Sequence, residues 1–288
     1  MTMRLVYLGT PAMAVPPLQA LVAAGHDVRL VVTRTDKRRG RGAEVMPSPV
    51  KAAALELGLP VSHDVADIPA VQAELGVVVA YGRIIPAELL APPLGMPMVN
   101  LHFSLLPRWR GAAPVERALL AGDIETGVCL MRVEEGLDTG AVHARQVVPI
   151  GPRDTASDLR LRLVDEGSRL LVATLAVGLP PAVPQHGEPT YAAKITPADL
   201  RIDWQADGAV IDRLVRVGGA WTTFRGRRVK VLSVRLTAPA TGVEQESMLL
   251  VEPCPGLRVD TVQPEGKGPM SVDDFCRGAR PVPGERFE

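Results

Sequence analysis

The chain has 288 residues, with 32 basic and 32 acidic side chains, so its formal net charge is zero. That balance excludes a globally basic nucleic-acid coat and an acidic disordered tail. A hydrophobic share of 47% excludes a disordered chain, and at about 150 residues per domain the length points to two domains.

Aromatic residues make up only 3%, so aliphatic side chains are expected to fill the cores. No apolar run approaches the roughly 18–20 residues that span a bilayer, so no membrane association is expected. The opening Met1-Thr2-Met3-Arg4 leads straight into a strand-like run and lacks the pattern of a signal peptide. Cys129, Cys254 and Cys276 are far apart and unpaired by motif, which argues against a disulfide scaffold or a zinc site. A cytoplasmic protein with buried thiols is the expectation.

Residues 4–8 predict a first strand, closed by Gly9-Thr10-Pro11. Thr10 and Pro11 suit a helix N-cap and first turn, and residues 16–24 carry helical apolar spacing. The glycine fingerprint of a dinucleotide fold is absent at that turn. Residues 28–32 form a second apolar run, 49–58 a helix rich in Ala and Leu, and 77–80 and 97–100 further strands. Unbroken β-branched runs in strand–helix order predict a doubly wound, Rossmann-like α/β domain with a parallel sheet buried on both faces. A helix over 155–177 ends at a stretch dense in Gly and Pro, 178–190, which reads as a linker. A helix over 208–217 follows, then strand-like runs over 228–236, 247–251 and 256–261, suited to a small OB-like β-barrel. The expected boundaries are 1–184 for the α/β domain, 185–204 for the linker and 205–288 for the barrel.

The string Asn100-Leu101-His102-Phe103-Ser104-Leu105-Leu106-Pro107 follows a predicted buried strand. Ligand sites in open α/β sheets form at the carboxyl ends of strands. Asn100 and His102, two apart, share a strand face. An amide donor beside an imidazole can stabilise a developing oxyanion and move a proton. Asp138, in the turn-rich loop Glu134-Glu135-Gly136-Leu137-Asp138-Thr139-Gly140, is placed to orient that imidazole and favour its charged form. Taken singly, His102 also suits a hydrogen-bonded core histidine, and Asp138 an Asx-turn residue.

The run Asn-x-His-x-Ser-Leu-Leu-Pro, the downstream Arg108-Trp109-Arg110-Gly111-Ala112-Ala113-Pro114 and Gly136-Leu137-Asp138-Thr139-Gly140 resemble the formyltransferases that use 10-formyltetrahydrofolate. Four more stretches resemble the methionyl-tRNA formyltransferases among them. These are Leu8-Gly9-Thr10-Pro11, Gly40-Arg41-Gly42 with Met46-Pro47-Ser48-Pro49-Val50-Lys51, Tyr191-Ala192-Ala193-Lys194-Ile195, and the segment from Gln263 to Met270. The resemblance spans nearly the whole chain. It implies Asn100, His102 and Asp138 as the catalytic trio and methionyl initiator tRNA as the formyl acceptor. It implies a folate site at Ser104, Leu105, Leu106 and Pro107, at Arg83, Ile84 and Ile85, and at Glu135, Gly136 and Leu137. Leu106–Pro107 is the bond at which relatives carry a cis peptide. No metal is implied, and a monomer is expected.

With zero net charge, RNA binding must come from local patches. One is the loop Arg34 to Arg41, where Arg38, Arg39 and Arg41, together with Lys51, are implied contacts of the tRNA acceptor end. The other runs from Arg213 to Arg235, with seven basic residues, no acid between them, and Trp221 and Phe224 in their midst. From it Arg225, Arg227, Arg228 and Lys230 are the expected contacts, suited to phosphate binding without base readout. Gly218-Gly219-Ala220 stands before Trp221 where relatives usually carry an Asn-Pro or similar run. A formyltransferase acting on a nucleotide amino sugar would keep the trio but would not need these patches. A non-catalytic folate- or tRNA-binding protein would not need the trio.

Overall fold

The computed structural model describes residues 2–39, 44–90, 95–237, 256–282 and 284–288. The chain divides into two compact units, one of residues 1–115, 125–149 and 159–192, the other of residues 116–124, 150–158 and 193–288. The division is not a single cut. Residues 185–192, within the expected linker, belong with the first unit, and two short stretches of the expected α/β domain belong with the second.

The described strands are β1 (Arg4–Gly9), β2 (Asp27–Val32), β3 (Lys37–Arg39), β4 (Glu44–Met46), β5 (Val61–Ser62), β6 (Leu75–Val79), β7 (Met98–His102) and β8 (Arg110–Gly111). They continue with β9 (Glu125–Arg132), β10 (Val142–Pro149), β11 (Tyr191–Ala192), β12 (Trp221–Phe224), β13 (Arg227–Leu236), β14 (Leu257–Pro264) and β15 (Met270–Ser271). The helices are α1 (Val15–Ala23), α2 (Pro49–Glu56), α3 (Pro114–Ala121), α4 (Ala156–Val177), α5 (Gly208–Val217) and α6 (Val272–Ala279).

A seven-stranded sheet in the order β10-β9-β7-β6-β1-β2-β5 organises the first unit. The five strands from β7 to β5 are parallel, while β9 and β10 add an antiparallel edge. In β6 every residue is buried, and in β1 all but the first. That accounts for their unbroken apolar sequence: a strand covered on both faces has no solvent side to mark with polar residues. α4 lies close on the sheet, since a β-carbon at Gly167 would stand 3.0 Å from Leu101 Cδ2. α2 starts where the Ser48 hydroxyl accepts from the Lys51 N–H at 3.0 Å and Pro49 fills the first turn. The Thr10–Pro11 pair does not cap α1. Thr10 Oγ1 instead donates to the Tyr81 carbonyl at 3.0 Å and ties the first turn to the segment after β6.

The second unit holds an antiparallel sheet in the order β12-β13-β14-β15, with α5 and α6 against it. The expected strand over 247–251 lies outside the described residues, and the described strands are an open four-stranded sheet. Aliphatic side chains make up most of this small core, as expected, but Trp204, Phe224 and Phe287 are buried among them and Phe275 packs against it. Trp204 stacks on Phe287 at 5.8 Å between ring centroids, and Phe224 meets Phe275 edge-on at 5.4 Å. A short sheet encloses little volume, and a few large rings bury the most apolar area per residue.

Arg225 closes one end of that unit. Its Nε and Nη2 donate to the two carboxylate oxygens of Glu285, at 2.7 and 2.5 Å, and its Nη1 donates to the Ala279 carbonyl at the end of α6. The Arg225 hydrogen bonds, then the Val282 N–H, hold the Glu285 carboxyl down at about 2, against an ordinary 4.5. A depressed carboxyl contributes its stability in full above its unfolded value and loses it as pH falls through the folded value. Glu285→Gln is therefore expected to lose less stability than the wild type between about pH 4.5 and about pH 2. Urea midpoints across that window check this, and parallel pH curves for the two proteins would refute it.

Candidate active site

Asn100 and His102 lie at the carboxyl end of β7, opposite Met131 and Cys129 of β9. Their spacing puts both on one face of the strand. Asn100 is partly exposed, and among the described residues its side-chain amide has no hydrogen-bond partner. His102 is buried. Beyond it the chain turns sharply: Ser104 Oγ donates to the Arg108 carbonyl at 2.6 Å, Leu106–Pro107 is cis, and Trp109 takes a left-handed φ of 63°. The Trp109 carbonyl is thereby brought 2.9 Å from His102 Nε2. A carbonyl only accepts, so Nε2 carries the hydrogen and Nδ1 is the position open to exchange protons.

Asp138 comes from the loop between β9 and β10 and also has a left-handed φ, 51°. Its Oδ2 accepts the Gly111 N–H at 2.8 Å and stands 3.6 Å from His102 Nδ1. That separation is longer than a hydrogen bond but within ion-pair range for a protonated ring. The loop is fixed at its far end by Gly140, where a β-carbon would lie 1.9 Å from the Arg132 carbonyl oxygen, so any side chain collides with β9.

Residues 183–192 hold both loops. Val183 exchanges backbone hydrogen bonds with Val142 at 2.8 and 2.9 Å. Gln185 Nε2 donates to the carbonyls of Asp138 and Gly140, both at 2.8 Å, and Gln185 Oε1 accepts from Arg110 Nη2 at 2.7 Å and Nε at 3.1 Å. Thr190 Oγ1 accepts the Trp109 N–H at 2.9 Å, and β11 pairs in parallel with β8. Gln185, Thr190, Trp109 and Gly111 carry no periodic signal in the sequence. The density of Gly and Pro around Gln185 hides it inside an apparent linker.

The expected folate residues divide into two groups. Ser104, Leu105 and Leu106 shape the loop: the Ser104 hydroxyl is engaged as above, Leu105 packs on Gly127, and Leu106 is buried with Cys129, Met131 and Val142. Pro107 is partly exposed, and its carbonyl accepts the Thr190 N–H at 3.3 Å. Arg83, Ile84, Glu135, Gly136 and Leu137 are exposed at the sheet rim, while Ile85 packs partly into the core. Ile84 is 93% and Leu137 64% exposed. Among the described residues, no group of three or more His, Cys, Asp or Glu is placed to hold a metal ion, and no helix is long and apolar enough to cross a membrane.

Of the expected RNA contacts, Arg41 lies outside the described residues, and only the backbone of Arg38 and Arg39 is described, in β3. Lys51 Nζ donates to Asp36 Oδ2 at 2.6 Å. Carboxylates pair with three members of the seven-residue basic run, one from the residue just before it and two brought from far along the sequence. Asp212 pairs with Arg216, Glu285 with Arg225 and Asp260 with Arg235, while Arg213 Nε donates to the Leu120 carbonyl. Among the described residues, Arg227, Arg228 and Lys230 have no such ion pair. Arg228 lies 4.3 Å from the centroid of the partly exposed Trp221, and Arg201 5.7 Å from it.

Residues 3–175 match the formyl transferase family and residues 194–280 the formyl transferase C-terminal domain. The chain is 46% identical, over 99% of its length and 99% of the relative's, to the methionyl-tRNA formyltransferase of Roseobacter denitrificans. It is 42% identical to that of Acidothermus cellulolyticus, over 99% of its own length and all of the relative's. A HypX structure from Aquifex aeolicus in complex with tetrahydrofolic acid superposes with a TM-score of 0.65 at 16% identity, over 100% of this chain and 49% of that one. WlaRD, a sugar 3N-formyl transferase, superposes with a TM-score of 0.66 at 19% identity, over 93% of this chain and all of that one. At those identities the two structures speak to the fold alone, whereas the full-length relatives carry the assignment: the chain belongs to the methionyl-tRNA formyltransferase family.

Proposed function

We propose that the chain transfers the formyl group of 10-formyltetrahydrofolate to the α-amino group of methionine carried by initiator tRNA, giving N-formylmethionyl-tRNA for translation initiation. The observation that carries this is identity of 42–46% to methionyl-tRNA formyltransferases over nearly the full length of both partners. A sugar-directed reading gains nothing from the remote structures, whose likeness is of fold.

10-Formyltetrahydrofolate supplies an activated formyl group on a nitrogen that can leave. Asn100 is the neutral donor: its unengaged amide hydrogen-bonds the oxygen that gains negative charge during acyl transfer. His102 is the proton carrier. Its Nε2–H is committed to the Trp109 carbonyl, so Nδ1 takes up and returns the proton, and the doubly protonated ring adds positive charge beside that oxygen. Asp138, 3.6 Å from Nδ1, stabilises the charged ring and fixes its orientation. Across the reaction a bond forms from the amine nitrogen to the formyl carbon, the bond to the folate nitrogen breaks, and the amine proton replaces the formyl group on that nitrogen. Ile84 and Leu137 line the folate side, with Arg83, Ile85, Glu135, Gly136 and the 104–107 loop around them.

On the RNA side, Arg227, Arg228 and Lys230 flank Trp221 on the second unit and contact phosphates. Arg38, Arg39, Arg41 and Lys51 meet the acceptor end. The engagement of Arg225 by Glu285 makes it the weakest of the expected contacts. The protein works as a cytoplasmic monomer.

His102→Ala is expected to lower kcat by at least about 10²-fold, the scale of losing one preorganised charge-stabilising group, with an unchanged thermal melt. A folded variant of near-normal activity would sink the role of His102. The pair Arg228→Ala with Lys230→Ala is expected to weaken binding of charged tRNA and to reduce the slope of log affinity against log salt by about 1–2. An unchanged slope would remove both residues from the interface.

A further inference from the structure

We infer that Gln185 is a positioning residue for formyl transfer, acting through Asp138; this rests on the reading of the reaction given above. The relation of Asp138 to His102 is set by two loops that meet nowhere in sequence. The loop 103–111 supplies the carbonyl that holds His102 Nε2 and the N–H that holds Asp138 Oδ2. The loop 133–141 supplies Asp138 itself. Gln185 spans them with one side chain, accepting from Arg110 on the first loop and donating to the carbonyls of Asp138 and Gly140 on the second.

The orientation of its amide is dictated chemically. Carbonyls only accept and a guanidinium only donates, so Nε2 faces the Asp138 loop and Oε1 faces Arg110. Both Nε2 hydrogens and both Oε1 acceptor sites are engaged, and no other amino-acid side chain of that length offers two donors and a two-fold acceptor. Asp138 has a left-handed backbone that persists only where its surroundings over-determine it. The hydrogen bond to its own carbonyl is the most direct such restraint. Gln185 is also partly buried where its neighbours Pro184, His186, Gly187 and Glu188 are exposed, as expected of a residue that turns inward from a strap.

The consequence is specific. Without Gln185, the Asp138 carboxylate remains on the protein but loses its fixed distance from His102 Nδ1. The rate of the chemical step falls while the surfaces that bind folate and tRNA are kept. A misplacement of about 1 Å at a reacting centre costs up to about 10²-fold in rate.

The test uses Gln185→Met, close in volume and without polar ends, and Gln185→Glu, which keeps the acceptor for Arg110 and removes both donors to the Asp138 loop. Formyl transfer to methionyl initiator tRNA is measured for each, alone and combined with Asp138→Asn; turnover by the wild type establishes the reaction independently of Gln185. Both single variants are expected to lower kcat about 10- to 100-fold, with KM for charged tRNA and Kd for the folate within about two-fold. Because Gln185 acts through Asp138, Gln185→Met adds less than about two-fold in the Asp138→Asn background. An equal loss in both backgrounds would show a general structural role and overturn the inference. So would wild-type kcat in Gln185→Glu, or a loss expressed in KM alone.

Discussion

The imidazole of His102 stands between two oxygens that the backbone delivers, the Trp109 carbonyl on Nε2 and the Asp138 carboxylate facing Nδ1. Much of the first unit can be read as the means of keeping those oxygens there. The ring is buried at the carboxyl end of β7, where a parallel strand ends and the loops begin. A buried imidazole with a committed Nε2–H has one tautomer when neutral, and its other nitrogen can change protonation without the ring moving. The geometry therefore separates holding from reacting on one side chain.

Holding both oxygens requires backbone that the chain does not adopt readily. Trp109 and Asp138 are both left-handed without being glycine, a conformation that costs on the order of 1 kcal/mol or more at each position. The surrounding contacts offset this. The Trp109 N–H is held by Thr190, the Asp138 carboxylate by the Gly111 N–H, the Asp138 carbonyl by Gln185, and the end of the loop by the close approach of Gly140 to β9. Three of these restraints come from residues distant in sequence from the ones they hold. The site is thus a product of the long-range topology as much as of its own motif.

The α/β half was legible because strands such as β6 are buried on both faces and carry apolar, β-branched runs, and because α4 ends where the spacing predicts it; in the second unit α5 does the same. The pairing of His102 with Asp138 was legible as chemistry, since an imidazole at a strand end and a carboxylate in a turn have few other joint uses. What was not legible depends on contacts that no local pattern encodes. The seven basic residues from Arg213 to Arg235 read as one patch until folding sets Asp260 and Glu285, distant in sequence, beside two of them. Gln185 sits among prolines and glycines that mark an irregular backbone correctly, but irregular backbone can strap an active site as well as link domains. The rings of Trp204, Phe224, Phe275 and Phe287 are spread over more than 80 residues of sequence and meet only in the folded second unit.

The most direct test of the central claim is formyl transfer from 10-formyltetrahydrofolate to methionyl initiator tRNA, with methionyl elongator tRNA and a nucleotide amino sugar as competing acceptors. The account predicts transfer to the initiator tRNA in strong preference to the other two. Transfer to the amino sugar alone would contradict it. The chemistry at Asn100, His102 and Asp138 would then stand, and the assignment of the acceptor and of the surface around Trp221, Arg228 and Lys230 would fall.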